Sequence, residues 1–384
     1  MTLMNTYGLT EEQQMMREAV LDTLAQALPQ ENILGMDERK EFPEAAYQAL
    51  AQSGFLALPF EEQYGGAQGS YRDLAVLMET LGYYYTGIAQ GIMTTLIYAG
   101  SHVARFASEE LKQKLIPEII EGKTKLALAM SEPGTGSDVA GLSTSAVKAD
   151  GGYVMNGSKV WITCAHVADY LVVVARTSKS ESRHDGLTTF LVDAKAPGVT
   201  ITPLNMLGRR TTHANEVHFE NVFIPDGYEL SEEGKAWPNL MKALGTERLA
   251  LASISAGHSF KITEYARDYA KDRIQFDKPI SDNQVIQHKL VDMWLKSETA
   301  RQAIYRVADL LDGGEAAIEE TSMAKIIATE SNFEVANVGL QILGGAGYST
   351  EYPMQMYFRD SRVGPIGGGT NEIQRNVLAK RMGL

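Results

Sequence analysis

The sequence predicts a mainly α-helical fold interrupted by a β-rich middle segment. Three observations lead there. Apolar residues recur at helical spacing over about the first 120 residues; they change to short β-branched and aromatic runs from about 121 to 225; and the helical spacing then returns and holds to the end. With 384 residues the chain is long enough for about two or three domains, each with its own core. The expected division is a helical domain over 1–120, a β domain over 121–228 and a second helical domain over 229–384.

The first helix is announced by Thr10 and Gln13, whose capping-box spacing lets each side chain satisfy the other's backbone N–H, with helical apolar spacing through Leu28. "FPEAAYQALAQSG" and "SYRDLAVLMETLGYYY" carry the same period. In the middle segment, "GGYVMNGSKVWIT" places Asn156 and Gly157 between two strand-like runs, a pair that favours a two-residue hairpin turn. "YLVVVAR", "GLTTFLVD", "GVTITPL" and "EVHFENVFIP" supply four more strands. No helix-length segment separates them, so an antiparallel sandwich or barrel is expected.

In the last third, Leu240, Leu244, Glu247, Leu251, Ile254, His258, Ile262, Tyr265 and Tyr269 fall at steps of three or four and share one helix face. Further helices are expected at about 283–311, 316–343 and 371–382. No internal repeat is present.

Composition narrows the functional classes. A net charge of −13 disfavours nonspecific nucleic-acid binding, which depends on basic surface. No apolar run approaches the roughly 20 residues of a membrane-spanning helix. The N-terminus lacks the basic and apolar regions of a secretory signal, and the lone Cys164 cannot form an internal disulfide, so the cytoplasm is the expected compartment. The seven histidines lack metal-ligand spacing, and no nucleophile elbow occurs. Metal and serine-hydrolase chemistry are therefore not expected.

Two glycine-rich stretches attract a phosphate-binding reading and fail it. "GGGTNEI", beginning at Gly367, lacks the Lys-Ser/Thr of a P-loop, and "GTGSDVAG" at 134–141 lacks the third glycine of the dinucleotide fingerprint. His258, on the apolar stripe, reads as a hydrogen-bonded core histidine. Glu247 has two readings. One is a carboxylate near a helix start paired with a neighbour such as Arg248. The other is an inward acid whose desolvation raises its pKa toward the range of a general base.

Five motifs agree in order and spacing with one family. "LAMSEPGTGSDVAG", "NGSKVWIT", "RIQFDKPISDNQVIQ", "QILGGAGYSTEYPMQMYFRD" and "GGGTNEIQR" resemble those of the acyl-CoA dehydrogenases, over essentially the whole chain. The resemblance implies a C-terminal four-helix bundle and FAD-dependent oxidation of an acyl-CoA to its trans-2-enoyl-CoA. A carboxylate would remove the α proton while the β hydrogen leaves as hydride to the flavin, with electrons passing to an electron-transferring flavoprotein. By position, Leu128, Met130, Ser131, Gly136 and Ser137, with Trp161, Ile162 and Thr163, would contact FAD. Ser137 would also meet the CoA, and Arg248 and Gly369 would lie at the substrate. Arg273, Gln275, Phe276, Asn283, Gln284, Gln341, Ile342, Leu343, Gly344 and Gly345 match positions through which a neighbouring subunit completes the FAD site, implying a homotetramer. Thr370, Asn371 and Glu372 would meet FAD at a helix start, where free N–H groups favour anions.

The sequence departs from the family pattern at telling places. Asp277 stands where glycine is usual, Met356 where a basic residue is usual, and Gly245 where some relatives have an acid. The usual base, a glutamate directly before Gly-Thr, is here Gly368. Glu247, in "TERL", resembles the alternative base position of isovaleryl-CoA and long-chain acyl-CoA dehydrogenases. Gly368 would keep its N–H as a donor to the thioester carbonyl. Two alternatives stay open: other CoA-thioester chemistry such as desulfination, and a noncatalytic flavin- or CoA-binding subunit. For the acyl chain, the tyrosines of "LGYYYTGIAQGIMTT" suggest a short, branched or polar group, and esters derived from carnitine stay open.

Overall fold

The structure is a computed structural model describing residues 2–384; Met1, where the expected first domain begins, lies outside the described residues. The N-terminal part contains α1 (Glu11–Ala27), α2 (Gln30–Arg39), α3 (Glu44–Gln52), α4 (Tyr71–Tyr84), α5 (Thr86–Met93), α6 (Gly100–Phe106) and α7 (Glu109–Ile120). α1 starts as its sequence indicates: Thr10 Oγ1 accepts from Gln13 N, and Gln13 Oε1 accepts from Thr10 N, both at 3.2 Å. Between α5 and α6 the chain widens into a π-helical stretch, Thr94–Ala99, a local geometry often found at functional sites.

Seven strands follow: β1 (Leu126–Ala129), β2 (Ser145–Ala149), β3 (Gly152–Thr163), β4 (Tyr170–Arg176), β5 (Leu187–Asp193), β6 (Val199–Pro203) and β7 (Ala214–Pro225). They form one sheet in the order β1-β4-β2-β3-β7-β6, with β5 on β4. This corrects the antiparallel expectation, because β4 pairs in parallel with β1 and touches β2 in the same sense. A parallel pair needs a long connection, and here the β2–β3 hairpin serves as that connection without an α-helix. The hairpin turn also lies elsewhere than expected. Asp150 and Gly151 make it, with Ala149 opposite Gly152, whereas Asn156 and Gly157 sit inside β3 at a register shift, a β-bulge.

The C-terminal part holds α8 (Ala236–Asp272), a small hairpin of β8 (Ile274–Gln275) and β9 (Lys278–Pro279), α9 (Gln284–Asp312), α10 (Ile318–Leu343), α11 (Gly345–Tyr348), α12 (Met354–Ser361) and α13 (Asn371–Arg381). α8, α9 and α10 pack on one another, and α4 from the N-terminal part packs against α8 and α9. The packed group of α4, α8, α9 and α10 therefore draws on both ends of the chain. Two glycines set how closely α4 and α8 approach: a Cβ on Gly82 would lie 2.3 Å from Ile254 O, and one on Gly257 would lie 1.9 Å from Glu79 O. A buried ion pair at the same crossing, Arg17 to Glu79 at 2.5 Å, ties α1 to α4, and Tyr305 of α9 donates to Glu79 at 2.8 Å.

Candidate active site

Glu247 lies on the inward face of α8, about three turns into the helix, with 7% of its surface exposed. Leu251, Ile254, His258 and Ile262 continue the buried stripe. Burial pushes the Glu247 carboxyl up to about 7, against the opposing pull of Arg248 and Lys325. No cation forms an ion pair with it among the described residues. His258 is buried and held down to about 3 by burial, with Nδ1 3.3 Å from Asn332 Oδ1, so it is a neutral core histidine.

Opposite Glu247 runs the loop before α13. Gly368 has φ +66 and Gly369 φ +78, left-handed values that favour glycine. A Cβ on Gly368 would sit 3.5 Å from Glu247 Oε1 and 3.1 Å from Leu251 Cδ2. A side chain there would thus enter the space that the Glu247 carboxylate borders. The Gly368 N–H has no partner among the described residues, whereas its carbonyl accepts from Gln374 Nε2 at 3.4 Å. Thr370 caps α13 by accepting from Ile373 N at 3.3 Å, and Asn371 is buried, donating to Glu330 Oε1 at 3.0 Å. Glu372 is exposed. Arg248 points its guanidinium toward the same loop, 3.9 Å from a Cβ built on Gly369, and its Nε is buried without a partner.

Sequence reasoning missed Lys325. Its ammonium, buried in α10, donates to Gly369 O at 3.1 Å and Asn371 Oδ1 at 2.7 Å, fixing the glycine loop from below. Burial lowers its pKa to about 8. The signal that could have found it is a lysine in register with Thr321, Ser322, Ala328 and Thr329 on the buried face of a helix.

A cavity of about 210 Å³ adjoins this loop. Leu251, Gly367 and Ile366 line one part, Gln90 and Tyr98 another, and Arg209 and Thr163 a third. Tyr98 sits on the π-helical stretch and feels the charges of both Glu247 and Arg209.

The two expected flavin-contacting segments are bonded to each other. Val160 N donates to Ser131 O at 2.9 Å, and Lys159 Nζ donates to Met130 O at 3.0 Å and Glu132 Oε1 at 2.9 Å. Burial would push the Glu132 carboxyl up, but Lys159 and the donors at Ser143 and Thr144 outweigh it and hold it at about 2. This buried pair was also missed from sequence. Leu128 and Met130 are half-buried, Ser131 likewise, and Gly136 and Ser137 are exposed. Trp161 has φ +63 and stays 58% exposed beside the buried Ile162, while Thr163 reaches the cavity.

The remaining residues do not line that cavity within one chain. Arg273, Gln275 and Phe276 lie on the exposed β8–β9 hairpin, Phe276 at 94%. Phe276 and Asp277 both have positive φ, a turn conformation that favours Gly, Asn or Asp, so Asp277 suits the position where glycine is usual. Asn283 is half-buried and Gln284 exposed at the start of α9. Gln341, Gly344 and Gly345 are exposed at the end of α10, and Ile342 and Leu343 are buried.

Comparison with known proteins identifies the arrangement. The acyl-CoA dehydrogenase N-terminal domain matches residues 10–123, the middle domain 127–222 and the C-terminal domain 234–383. The chain belongs to the acyl-CoA dehydrogenase family. It is 34% identical over 377 residues to an acyl-CoA dehydrogenase of Bacillus subtilis, spanning 97% of this chain and 98% of that protein. It is 34% identical over 375 residues to the caffeyl-CoA reductase-Etf complex subunit CarC of Acetobacterium woodii, spanning 96% and 98%. Butyryl-CoA dehydrogenase from Megasphaera elsdenii superposes with a TM-score of 0.93 at 30% identity, covering 98% of this chain and 100% of the other. As an acyl-CoA dehydrogenase the chain is an FAD-dependent oxidoreductase. Its residues fit the cofactor. Trp161 offers an exposed indole on left-handed backbone, Thr163 opens onto the cavity, Thr135 Oγ1 is buried without a partner, and the N–H groups of Gly368, Gly369 and Thr370 before α13 have no partner among the described residues and can receive an anion. No helix is long and apolar enough to cross a membrane, and no His, Cys, Asp and Glu cluster could hold a metal ion, among the described residues.

Proposed function

We propose that this acyl-CoA dehydrogenase oxidises a CoA thioester to the trans-2-enoyl thioester, with Glu247 as the general base. One observation carries the reading: a buried carboxylate, poised at about 7, faces the left-handed Gly368, where even a Cβ would come within 3.5 Å of its Oε1. In this arrangement the free Gly368 N–H donates to the thioester carbonyl, stabilising negative charge as the α proton moves to a Glu247 oxygen. Lys325 keeps the loop carrying that N–H in place through the Gly369 carbonyl. Leu251 and the buried α8 stripe exclude water from the carboxylate. Arg248, with its unpartnered Nε, serves the CoA side. Residues 128–137 and 161–163, with Thr370, Asn371 and Glu372, would hold FAD, which would supply the acceptor for the β hydride.

The reading extends to partners. The likeness to a subunit of an Etf complex supports an electron-transferring flavoprotein as the electron acceptor. The exposed apolar residues Ile274, Phe276, Val285, Val291, Trp294 and Leu295 support a further copy of the chain as their cover, in a homotetramer whose neighbouring subunit completes each FAD site. Glu247→Gln tests the central claim. FAD content should match wild type, and anaerobic bleaching of the flavin by acyl-CoA should fall by about 100- to 10,000-fold, the usual contribution of a general base. Undiminished bleaching would sink the assignment of Glu247.

A further inference from the structure

The cavity beyond Glu247 holds a guanidinium that makes no direct ion pair among the described residues. Arg209 lies in the connection between β6 and β7 and lines the cavity with Gln90 and Tyr98. Its guanidinium has five N–H donors. One is used, by Gln90 Oε1, and Nε is buried with no partner. No carboxylate forms an ion pair with this guanidinium among the described residues. The two nearby acids spend their hydrogen bonds elsewhere: Asp360, whose charge acts on the guanidinium from a distance, accepts from the Arg209 backbone N–H at 2.5 Å and from Thr86 Oγ1 at 2.6 Å, and Asp37 pairs with Arg359 at 2.6 Å. The cavity lining carries Arg209, Arg359 and Arg362 and no Asp or Glu, in a chain whose net charge is −13. A buried donor left without an acceptor is costly, so a half-buried guanidinium with unused donors, facing a cavity lined by no acid, suits an anionic partner.

We propose that Arg209, with Gln90, selects acyl chains ending in a carboxylate, so that the substrate is the CoA thioester of a dicarboxylic acid. This rests on the dehydrogenase reading above, which puts the thioester carbonyl at the Gly368 N–H and the α carbon at Glu247. From there the chain runs past Leu251 and Tyr98 to the guanidinium, along the Gln90 side of the cavity, which leaves the Thr163 side to the flavin. Tyr98 lines the cavity together with Leu251 and Arg209, and both Glu247 and Arg209 act on its phenol. A carboxylate at the far end gains charge-assisted hydrogen bonds from a planar, half-buried fork. A trimethylammonium end, as in an ester derived from carnitine, would meet a like charge at low dielectric. The same residues that hold the diacid therefore reject the cation.

The test compares succinyl-, glutaryl- and adipyl-CoA with n-butyryl-, n-valeryl- and hexanoyl-CoA and with 4-trimethylammoniobutyryl-CoA, using the FAD-loaded enzyme, anaerobic bleaching and kcat/KM with an artificial acceptor. At least one diacid ester is expected to exceed its neutral counterpart by about 10-fold or more, with the cationic ester poorest. Arg209→Leu should lower kcat/KM for that diacid by about 100-fold, the scale of losing a buried charged partner, and leave neutral esters within about threefold. Arg209→Lys should recover part of the loss. In a Glu247→Gln background, calorimetric titration with the diacid ester should show the same loss in Kd without any turnover, and FAD content and thermal unfolding check that each variant is folded. Equal use of neutral and diacid esters, unchanged by Arg209→Leu, would overturn the role of Arg209 while leaving the dehydrogenase reading standing. A flavin-loaded enzyme bleached by none of these esters would overturn both.

Discussion

A Cβ atom on Gly368 would lie 3.5 Å from Oε1 of Glu247, so one carboxylate on α8 and one missing side chain on the loop before α13 address the same space. Two attachment points can then present a base to one proton. In the Glu247→Gln background, Gly368→Glu is expected to restore measurable flavin bleaching. Recovery should be partial, because φ is +66 at this position and a non-glycine residue there costs on the order of 1–3 kcal/mol. A double variant no more active than Glu247→Gln, yet carrying a full complement of FAD, would contradict the shared-space relationship.

The protonation of Glu247 sets a pH dependence. A base must be ionised to act, so kcat/KM is expected to rise with pH through an inflection near 7. Lys325 opposes the upward shift, so Lys325→Met should move the inflection to higher pH. Stability carries the same signature. The folded protein holds this proton up to about 7 and the unfolded chain only to about 4.5, so this group's contribution is complete below 4.5 and lost as pH rises through 7. Glu247→Gln should flatten that part of the stability profile in urea titrations. A profile with the same slope as wild type would count against the assigned shift.

Much of this was legible in the sequence because it depends on local pattern. The inward placement of Glu247 followed from helical period alone, and the Thr10–Gln13 cap from spacing. What escaped depends on contacts distant in sequence. Nothing in "AKIIATESNF" says that Lys325 will bond a carbonyl in a loop more than a helix away, and nothing near Glu132 names Lys159 as its partner. The parallel pairing of β1 with β4 was missed because the rule applied expected a helical crossover, and a hairpin filled that place. Asn156–Gly157 misled for a related reason: the pair that suits a hairpin turn also suits a bulge within a long strand, and only the register distinguishes them. Arg209 carried no motif at all, and its role emerges only from the cavity it lines.

The α4–α8 crossing yields a stability prediction. The Cβ of Gly257→Ala would stand 1.9 Å from Glu79 O, a backbone atom that cannot swing aside. The helices must separate, and overpacking of this sort costs about 1–3 kcal/mol or more. Thermal unfolding should shift to clearly lower temperature. Gly245→Ala on the same helix, where a Cβ meets nothing within 4 Å, should be neutral or slightly stabilising through its higher helix propensity. A Gly257→Ala variant as stable as Gly245→Ala would refute the close crossing.

Glu132 and Lys159 form a buried pair that anchors the segment expected to face the flavin. Lys159→Met removes the ammonium and leaves the carboxylate with only its Ser143 and Thr144 donors. Breaking one side of such a pair costs about 3–5 kcal/mol, because the remaining charge stays buried. The low carboxyl pKa, about 2, stabilises the fold above the ordinary carboxylate range, and this contribution is lost as pH falls through 2. Without Lys159 that pKa rises, so stability should change less between about pH 5 and pH 2. The Met130 carbonyl also loses its donor, and FAD retention on dilution should fall with it. Pairing Lys159→Met with Glu132→Gln removes the orphaned charge, so the double variant should be more stable than Lys159→Met alone, although the flavin-side carbonyl remains unpaired. A double variant that regains stability but not FAD retention would separate the two roles of the lysine, support of the fold through Glu132 and support of the cofactor loop through Met130.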